Sequence, residues 1–525
     1  MAQVEAAKKP IMAERTPAPA PLWTDSDALL TVEVFRDGII ALVAIVAIRY
    51  VYNHYWHAKE EAAASTPSLP LPNTRSLYPI PPPPSILTTT EAQLHFALST
   101  MKEYGVHPTR GFLPPRDPCT QLSNPRCEEW EIFGTQLPDL LSAGQCRQVL
   151  STMKAIDWHC IGTSRAQQRR AFLLLSAMAN AYLWCEPDNI VDVLPSNIAV
   201  PLHHVAQALG IQPALVHASI VLANWRRLDP KGPITTDNIT TLIDILGGRD
   251  EKWFFLLTVE IEFVGAPALL PCLLLQAASD TMRTHLVAND HAHATAWVEY
   301  GIALLGRIQQ SIDGMTQSFQ KMHKQCDPYI FYHRVRPFLS GTKGNPTLPN
   351  GVIYEGVNNN VHKQCSGGSA AQSSLLPIFD ATLGVQHNAE SFIKEMREYM
   401  PSEHRAFILY VQEQNQHSSE GEEETSSITQ VLALMQPQEH EVYHRFIQTY
   451  NETVHSLTTF RNLHMEMVKV YIVAEQRKAA MATAKAKGER SLGDAAGGKG
   501  TGGTGIMSFL KPMRNRTREK VVKTA

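Results

Sequence analysis

The chain has 525 residues, of which 44% are hydrophobic and 18% charged, with a formal net charge of −3. Such a composition is globular and excludes a largely disordered protein, and the near-neutral balance offers nucleic acid no global attraction. The length exceeds one ordinary core, so two packed domains plus tails are expected.

Residues 1–28 are rich in Ala, Pro and charge and read as disordered. The run GIIALVAIVAI at 38–48 leads into Arg49 and the aromatic cluster YVYNHYW. Spanning a bilayer takes about 20 apolar residues, so the segment 38–56 spans only if Arg49 snorkels and the rings sit at the interface. A membrane anchor, an interfacial helix and a helix packed on the body all fit it. It lacks a small-residue cleavage site and does not read as a removed secretory signal. Residues 66–85, TPSLPLPNTRSLYPIPPPPS, form an extended Pro-rich linker. Residues 1–87 are therefore an N-terminal extension.

Beyond the linker the periodicity is helical. TTEAQLHFALSTMKEYG, SRAQQRRAFLLLSAMANAYLWC and VPLHHVAQALGI carry apolar residues at helical spacing. WFFLLTVEIEFVGAPALLPCLLLQAAS is apolar nearly all round and belongs in a core. Alternating strand patterns are scarce. The expected fold is all-α, with a small helical domain at 88–250 and a large one at 251–525. The acidic stretch 412–427 reads as a solvated insertion between helices. The Gly-rich loop 493–505 precedes a short amphipathic helix with a basic face, which makes it a candidate lid. Eight cysteines are scattered without a C-x-x-C pair, the pattern of reduced intracellular thiols rather than of disulfides or a zinc site.

Three constellations carry chemistry. In CSGGSAAQSSLLPIFDATLGVQ, residues 365–386, Gly367 to Ala371 have almost no side-chain volume, so a flat ligand or another backbone can come close. Both readings remain open on the residues alone. Ser369 is placed to cap a following helix, and Asp380 would lie about three turns along it. In DPYIFYHRVRPFLSGTKGN, residues 327–345, the aromatics Phe331 and Tyr332 precede Arg336 by about one turn. Rings bind a flat apolar group and a guanidinium fork binds a carboxylate, the two handles of an aromatic amino acid. Arg334 competes for the second role. In VHSLTTFRNLHMEMVKVYIV, residues 454–473, Leu457, Phe460, His464, Met467 and Tyr471 share one helix face. His464 then points from an apolar stripe into the core. A hydrogen-bonded core histidine and a proximal haem ligand both satisfy that position. Without C-x-x-C-H, any haem is held non-covalently.

These segments, in this order, resemble the indoleamine 2,3-dioxygenase family, in a fungal-type form with an N-terminal extension. The resemblance rests on GGSAAQSSLLPIFDATLGVQH, FYHRVRPFLSGTKGNP, YMPSEHRAF and FRNLHMEMVKVYI. GFLPPRDP, VLANWRRLDP, WFFLLTVEIEFVGAPA and GTGGTGIMSFLK extend it over about residues 90–520. It implies an intracellular, cytoplasmic, monomeric haem b enzyme that cleaves the indole C2–C3 bond of L-tryptophan or a related indoleamine with O2. The product would be N-formylkynurenine, the first step of kynurenine-type tryptophan degradation feeding NAD synthesis. By the same resemblance His464 is the iron ligand. Gly368, Asp380, Arg461 and Val221 border the cofactor. Arg336 pairs the substrate carboxylate, and Phe331, Tyr332, Thr258, Ser369, Ala370 and Thr501 surround the rest of the substrate. No catalytic general base is implied, and no nucleic acid. Two departures stand out: Thr258 where relatives often have Ser, and His217 where some have Tyr. The rival class is a non-catalytic or weakly active helical haem- or indole-binding protein tethered to a membrane.

Overall fold

The computed structural model describes residues 86–387, 390–417, 425–487, 501 and 506–523. The apolar segment 38–56, the Pro-rich linker and all of the 493–505 loop except Thr501 lie outside the described residues. Those described belong to one compact unit, Ile80–Ala525.

The expected all-helical fold is present. Its first part holds α1 (Leu87–Glu103), α2 (Glu128–Thr135), α3 (Leu137–Ser142), α4 (Cys146–Ser151), α5 (Arg165–Trp184) and α6 (Ser196–Leu209). Helix α5 is buried at Phe172, Leu173, Leu174 and Leu175 in succession, because other elements cover it on every side. Small pieces of sheet occur among the described residues. Strand β1 (Val193–Leu194) leads in chain order to the antiparallel pair β2 (Arg226–Arg227) and β3 (Ile239–Thr240). β1 pairs in parallel with β4 (Val352–Tyr354), in register Val193↔Ile353, and β4 pairs antiparallel with β5 (His362–Lys363). That sheet joins chain segments on both sides of residue 250.

The core of the second part is α7 (Arg249–Gly265), α8 (Leu269–Val287), α9 (His291–Phe319) and α14 (Glu441–Val468), with α10 (Leu375–Thr382), α11 (Glu390–Arg397), α12 (Ser402–Asn415) and α13 (Ser427–Met435) between the last two. The stretch Arg249–Val287 is long and apolar enough to cross a membrane, but 72% of its apolar window is buried inside the body, as its all-round apolar pattern requires of a core element. Helices α9 and α14, 29 and 28 residues long, pack along one another. They approach at Gly301, where a Cβ would meet Met282 Cε at 2.6 Å and Phe446 Cε2 at 2.7 Å. After α15 (Glu475–Lys487), the terminal helix α16 (Ile506–Arg518) docks on α14. Arg514 donates to Asn462 Oδ1 at 3.1 Å, and the Arg461 guanidinium donates to Thr517 Oγ1.

Two sequence expectations are corrected. The acidic insertion is shorter than 412–427: the buried face of α12 continues from Phe407, Ile408 and Val411 to Asn415, whose amide donates to the Val411 carbonyl at 2.8 Å. Strands β6 (Gln416–His417) and β7 (Thr425–Ser426) then pair, and Ser426 caps α13 by accepting from the Thr429 N–H. Nor are all eight cysteines free. Cys127 and Cys160, 33 residues apart, form a disulfide, and Cys119, Cys146, Cys185, Cys272, Cys326 and Cys365 are free thiols. The pair is made by tertiary contact, since Asn124 beside Cys127 donates to the Cys160 carbonyl at 3.0 Å and draws the two turns together. No local spacing encodes such a pairing.

Candidate functional site

A cavity of about 1260 Å³ lies between α7, α14 and the chain around residues 366–371. Ordinary small-molecule sites enclose about 300–1,000 Å³, so this one has room for more than one ligand.

One wall is α14 and its continuation. Phe460, His464 and Met467 line the cavity from successive turns, while Leu457, on the same stripe, is buried beneath it. The Phe319 ring lies 5.9 Å from the His464 ring. Among the described residues no group hydrogen-bonds to either His464 nitrogen. Burial, helped by the nearby Arg461 charge, pushes the His464 pKa down to about 4, so the imidazole is neutral at physiological pH. The helix then widens into a π segment, Lys469–Ala474, which brings Tyr471 to the cavity with its hydroxyl donating to the Cys326 carbonyl at 2.8 Å.

Arg461 and Asp380 face the same cavity but are engaged with each other. One guanidinium nitrogen lies 2.7 Å from both Asp380 oxygens, and His387 Nε2 is 2.8 Å from Asp380 Oδ2. Burial alone would raise the Asp380 carboxyl; Arg461 and His387 outweigh it and hold the group below the usual carboxylate range. Asp380 does not share a continuous helix with Ser369, contrary to the spacing argument. Ser369 caps a single 3-10 turn, Ala370–Gln372, through a capping box with Gln372, and α10 starts afresh at Leu375.

The facing wall holds Phe331 and Arg336. Residues 331–335 are wound as a π segment, and the Arg336 N–H donates to the Phe331 carbonyl five residues back. With more than four residues per turn, positions 331 and 336 fall on one face, whereas α-helical winding would splay them. Both line the cavity. Phe331 packs against Phe254 of α7 at 4.6 Å and edge-on to Tyr471 at 5.8 Å. Burial lowers the Arg336 pKa, Tyr332 opposing the shift, but guanidinium remains the charged form. Tyr332 is not in the cavity lining; it supports Arg336 from behind, its ring centroid 5.5 Å from the guanidinium carbon. The competitor Arg334 is exposed and outside the cavity.

The small-residue stretch divides between a backbone crossing and the cavity wall. A methyl group on Gly367 would collide with Leu339 O and the Gly341 backbone, so that glycine permits a backbone crossing. Gly368, Ser369 and Ala370 instead line the cavity, and a Cβ on Gly368 would press on Ile220 Cδ1 at 3.2 Å. Thr501 closes over this stretch. Its hydroxyl donates to the Gly368 carbonyl at 2.7 Å, and its own carbonyl accepts from the Gly367 N–H at 3.2 Å.

Val221, in a third π segment (Ala218–Leu222), and Thr258 complete the sequence-derived set in the lining. The Thr258 hydroxyl donates to Phe254 O at 2.8 Å. Sequence reasoning missed Phe254, His387 and Glu262. The last had a readable signal: a carboxylate inside the otherwise apolar run WFFLLTVEIEF needs a partner.

Fold and cavity thus define a helical protein with one large cavity that carries a neutral imidazole on one wall and, on the facing wall, an aromatic ring beside an arginine. Comparison with known proteins agrees. The family model for indoleamine 2,3-dioxygenase matches residues 100–520. The chain is 34% identical over 431 residues to human indoleamine 2,3-dioxygenase 2, covering 81% of this chain and 96% of that protein. It is 30% identical over 469 residues to the indoleamine 2,3-dioxygenase of Saccharomyces cerevisiae, covering 83% and 96%. It is also 30% identical over 430 residues to a 6-hydroxytryptophan 2,3-dioxygenase of Fusarium equiseti, covering 81% and 98%. The chain belongs to the indoleamine 2,3-dioxygenase family.

Proposed function

We propose that the protein is a haem-dependent dioxygenase that opens the C2–C3 bond of L-tryptophan with O2 to give N-formylkynurenine. The observation that carries this reading is a single cavity with neutral His464 on one wall and Phe331 with Arg336 on the other.

The residues present fit a haem. His464 offers a neutral nitrogen without a competing hydrogen bond among the described residues, the state an iron ligand needs. Gly368 lacks the Cβ that would crowd the wall beside it. The Asp380–Arg461–His387 cluster, on the same side as His464, gives a charged border suited to the carboxylates of a b-type haem. Bound there, haem would supply the oxygen chemistry that no side chain possesses.

The chain's own part is binding, orientation and exclusion of water. Arg336 takes the substrate carboxylate in charge-assisted hydrogen bonds worth about 1.5–3 kcal/mol each. Phe331 and Phe254 wall the indole, and Tyr332 keeps Arg336 from swinging away. The Thr258 hydroxyl proton is committed to Phe254 O, so Thr258 adds bulk rather than a base. Thr501, pinned to Gly368, shields the small-residue wall from solvent. No protein general base enters this reading.

The test is direct. Purified protein should show a Soret band, and after anaerobic reduction the addition of L-tryptophan and 18O2 should give N-formylkynurenine carrying both labelled oxygens. Protein that binds no haem, or that returns tryptophan unchanged, would overturn the proposal.

A further inference from the structure

The turn between α8 and α9 gathers three side chains of metal-binding type that the cavity does not use. His285 lies in the last turn of α8, Asp290 is the N-cap of α9, and His293 lies in the first turn of α9. The connection between them is short and fixed. Asn289 takes a left-handed backbone with φ 55°, and the Asp290 N–H donates to the His285 carbonyl at 2.9 Å. The three side chains are 28%, 36% and 59% exposed in chain order, so an ion can reach them from solvent. No residue from 269 to 314 is in the cavity lining.

The donor atoms meet at one carboxylate oxygen. His285 Nδ1 lies 3.1 Å from Asp290 Oδ2, and His293 Nδ1 lies 2.9 Å from the same oxygen. Ligand atoms of all three residues fall within 4.8 Å of one another, and the two imidazole rings stack at 5.4 Å with their planes 20° apart. Zinc takes imidazole nitrogen at about 2.0–2.1 Å and carboxylate oxygen at about 2.0–2.2 Å, which sets neighbouring ligands of a tetrahedral ion about 3.3–3.4 Å apart. Opening the two His–Asp contacts by a few tenths of an ångström therefore makes room for an ion, with both helices left in place. The carboxylate is also held in orientation. Its Oδ1 accepts from the His293 backbone N–H at 3.4 Å as the cap of α9, which leaves Oδ2 toward the two rings.

The donor set selects the ion. Two imidazoles with one carboxylate suit zinc and its neighbours, whereas Mg2+ and Ca2+ take oxygen ligands. His291, in the same turn, is engaged elsewhere, its Nδ1 3.1 Å from the Tyr443 hydroxyl of α14. We propose that His285, Asp290 and His293 form a binding site for a divalent transition-metal ion of the zinc type, three protein ligands with water completing the coordination, that staples the end of α8 to the start of α9. The site stands apart from the dioxygenase chemistry and does not depend on it. An ion bound only by the folded chain stabilises it by mass action.

The full-length, untagged protein tests this. Freed of adventitious metal with a chelator, it is titrated calorimetrically with ZnCl2 and, as a control, with MgCl2. One equivalent of Zn2+ should bind, Mg2+ should not, and the thermal unfolding midpoint should rise with Zn2+. Loss of a residue that merely orients a metal ligand already weakens binding about 10–100-fold, so loss of a ligand should weaken this equivalent at least about tenfold. That is the result expected of His285→Gln, His293→Gln and Asp290→Asn. Asn caps a helix as well as Asp does, so the third variant removes the charged ligand and keeps the start of α9. His291→Gln should leave Zn2+ binding unchanged. Far-ultraviolet circular dichroism shows which variants are folded, and any one folded ligand variant suffices. Zn2+ bound equally by wild type and the folded ligand variants would overturn the inference, as would wild type that takes up no Zn2+. Loss of the equivalent in folded His291→Gln would overturn the donor set.

Discussion

The α9–α14 pair and the cavity wall are made of the same secondary structure in two different windings. In the pair, two long regular α-helices meet through stripes at spacings of three and four, and the close approach is set by Gly301 against Phe446, with Met282 of α8 packed beside them. In the wall, three π segments, Ala218–Leu222, Phe331–Val335 and Lys469–Ala474, each deliver a lining residue: Val221, Phe331 and Tyr471. Regular winding serves a core because identical turns stack into continuous ridges. Widened turns serve a site because they rotate selected side chains away from that stripe, at some cost in hydrogen-bond geometry. Substitutions in the two regions should therefore separate stability from binding.

The largest effect is expected in the wall. His464→Ala should leave a folded protein with little bound haem, read from the Soret-to-protein absorbance ratio; normal haem content would sink the ligand assignment. Next comes Arg336→Ala, which should raise the tryptophan KM about 10- to 100-fold with an unchanged haem spectrum, the loss of one or two charge-assisted hydrogen bonds. Arg336→Lys should rescue poorly because it lacks the planar fork. Arg334→Ala should do little, since Arg334 is exposed. A larger KM change at 334 than at 336 would show that the π winding does not govern which arginine is presented.

A third expectation concerns His404, buried against Phe112 at 4.9 Å. Burial, followed by the Arg169 and His217 charges, pushes its pKa down to about 3. Below pH 6.5 the unfolded chain takes a proton that the folded one refuses, so stability rises with pH across the window from about 3 to 6.5. Between pH 6.5 and 5 this one group should cost about 2 kcal/mol, at about 1.4 kcal/mol per pH unit. Urea unfolding at several pH values checks it: His404→Gln should flatten the slope, and an unaltered slope would locate the effect elsewhere.

Smaller again is Gly301→Ala in the regular pair. Alanine gains about 1 kcal/mol in helix propensity but must displace two buried side chains, which typically costs about 1–3 kcal/mol. A net loss of about 1 kcal/mol in chemical denaturation is expected, with kcat/KM unchanged. If activity fell while stability held, the pair would be part of the site and the contrast would fail. Least of all should change when the chain is started at residue 86: the compact unit runs from Ile80, so haem content and kcat should match the full chain. Loss of folding in that protein would mean that the 38–56 segment packs into the body.

Much of the site was legible because its residues are chemically conspicuous against their own local background. His464 stands on an apolar stripe, Arg336 follows two aromatics, and Gly367 to Ala371 have almost no volume. All-helical architecture was legible for a similar reason, since the 3.6-residue period is a local property of the chain. The sequence could not say which of Arg334 and Arg336 faces inward, that Tyr332 stands behind the arginine rather than in the cavity wall, or that Gly367 and Gly368 divide two tasks. Those outcomes depend on π winding and on what packs against each segment, and neither leaves a periodic trace. Nor does the Cys127–Cys160 pair, or the His217–Glu262–Ser373 cluster, whose members come from three segments of the chain. Local sequence fixes helices because their hydrogen bonds close within one segment. Contacts between distant segments are decided only when the whole chain packs, which is when Glu262 acquires two partners and is left with one oxygen to spare.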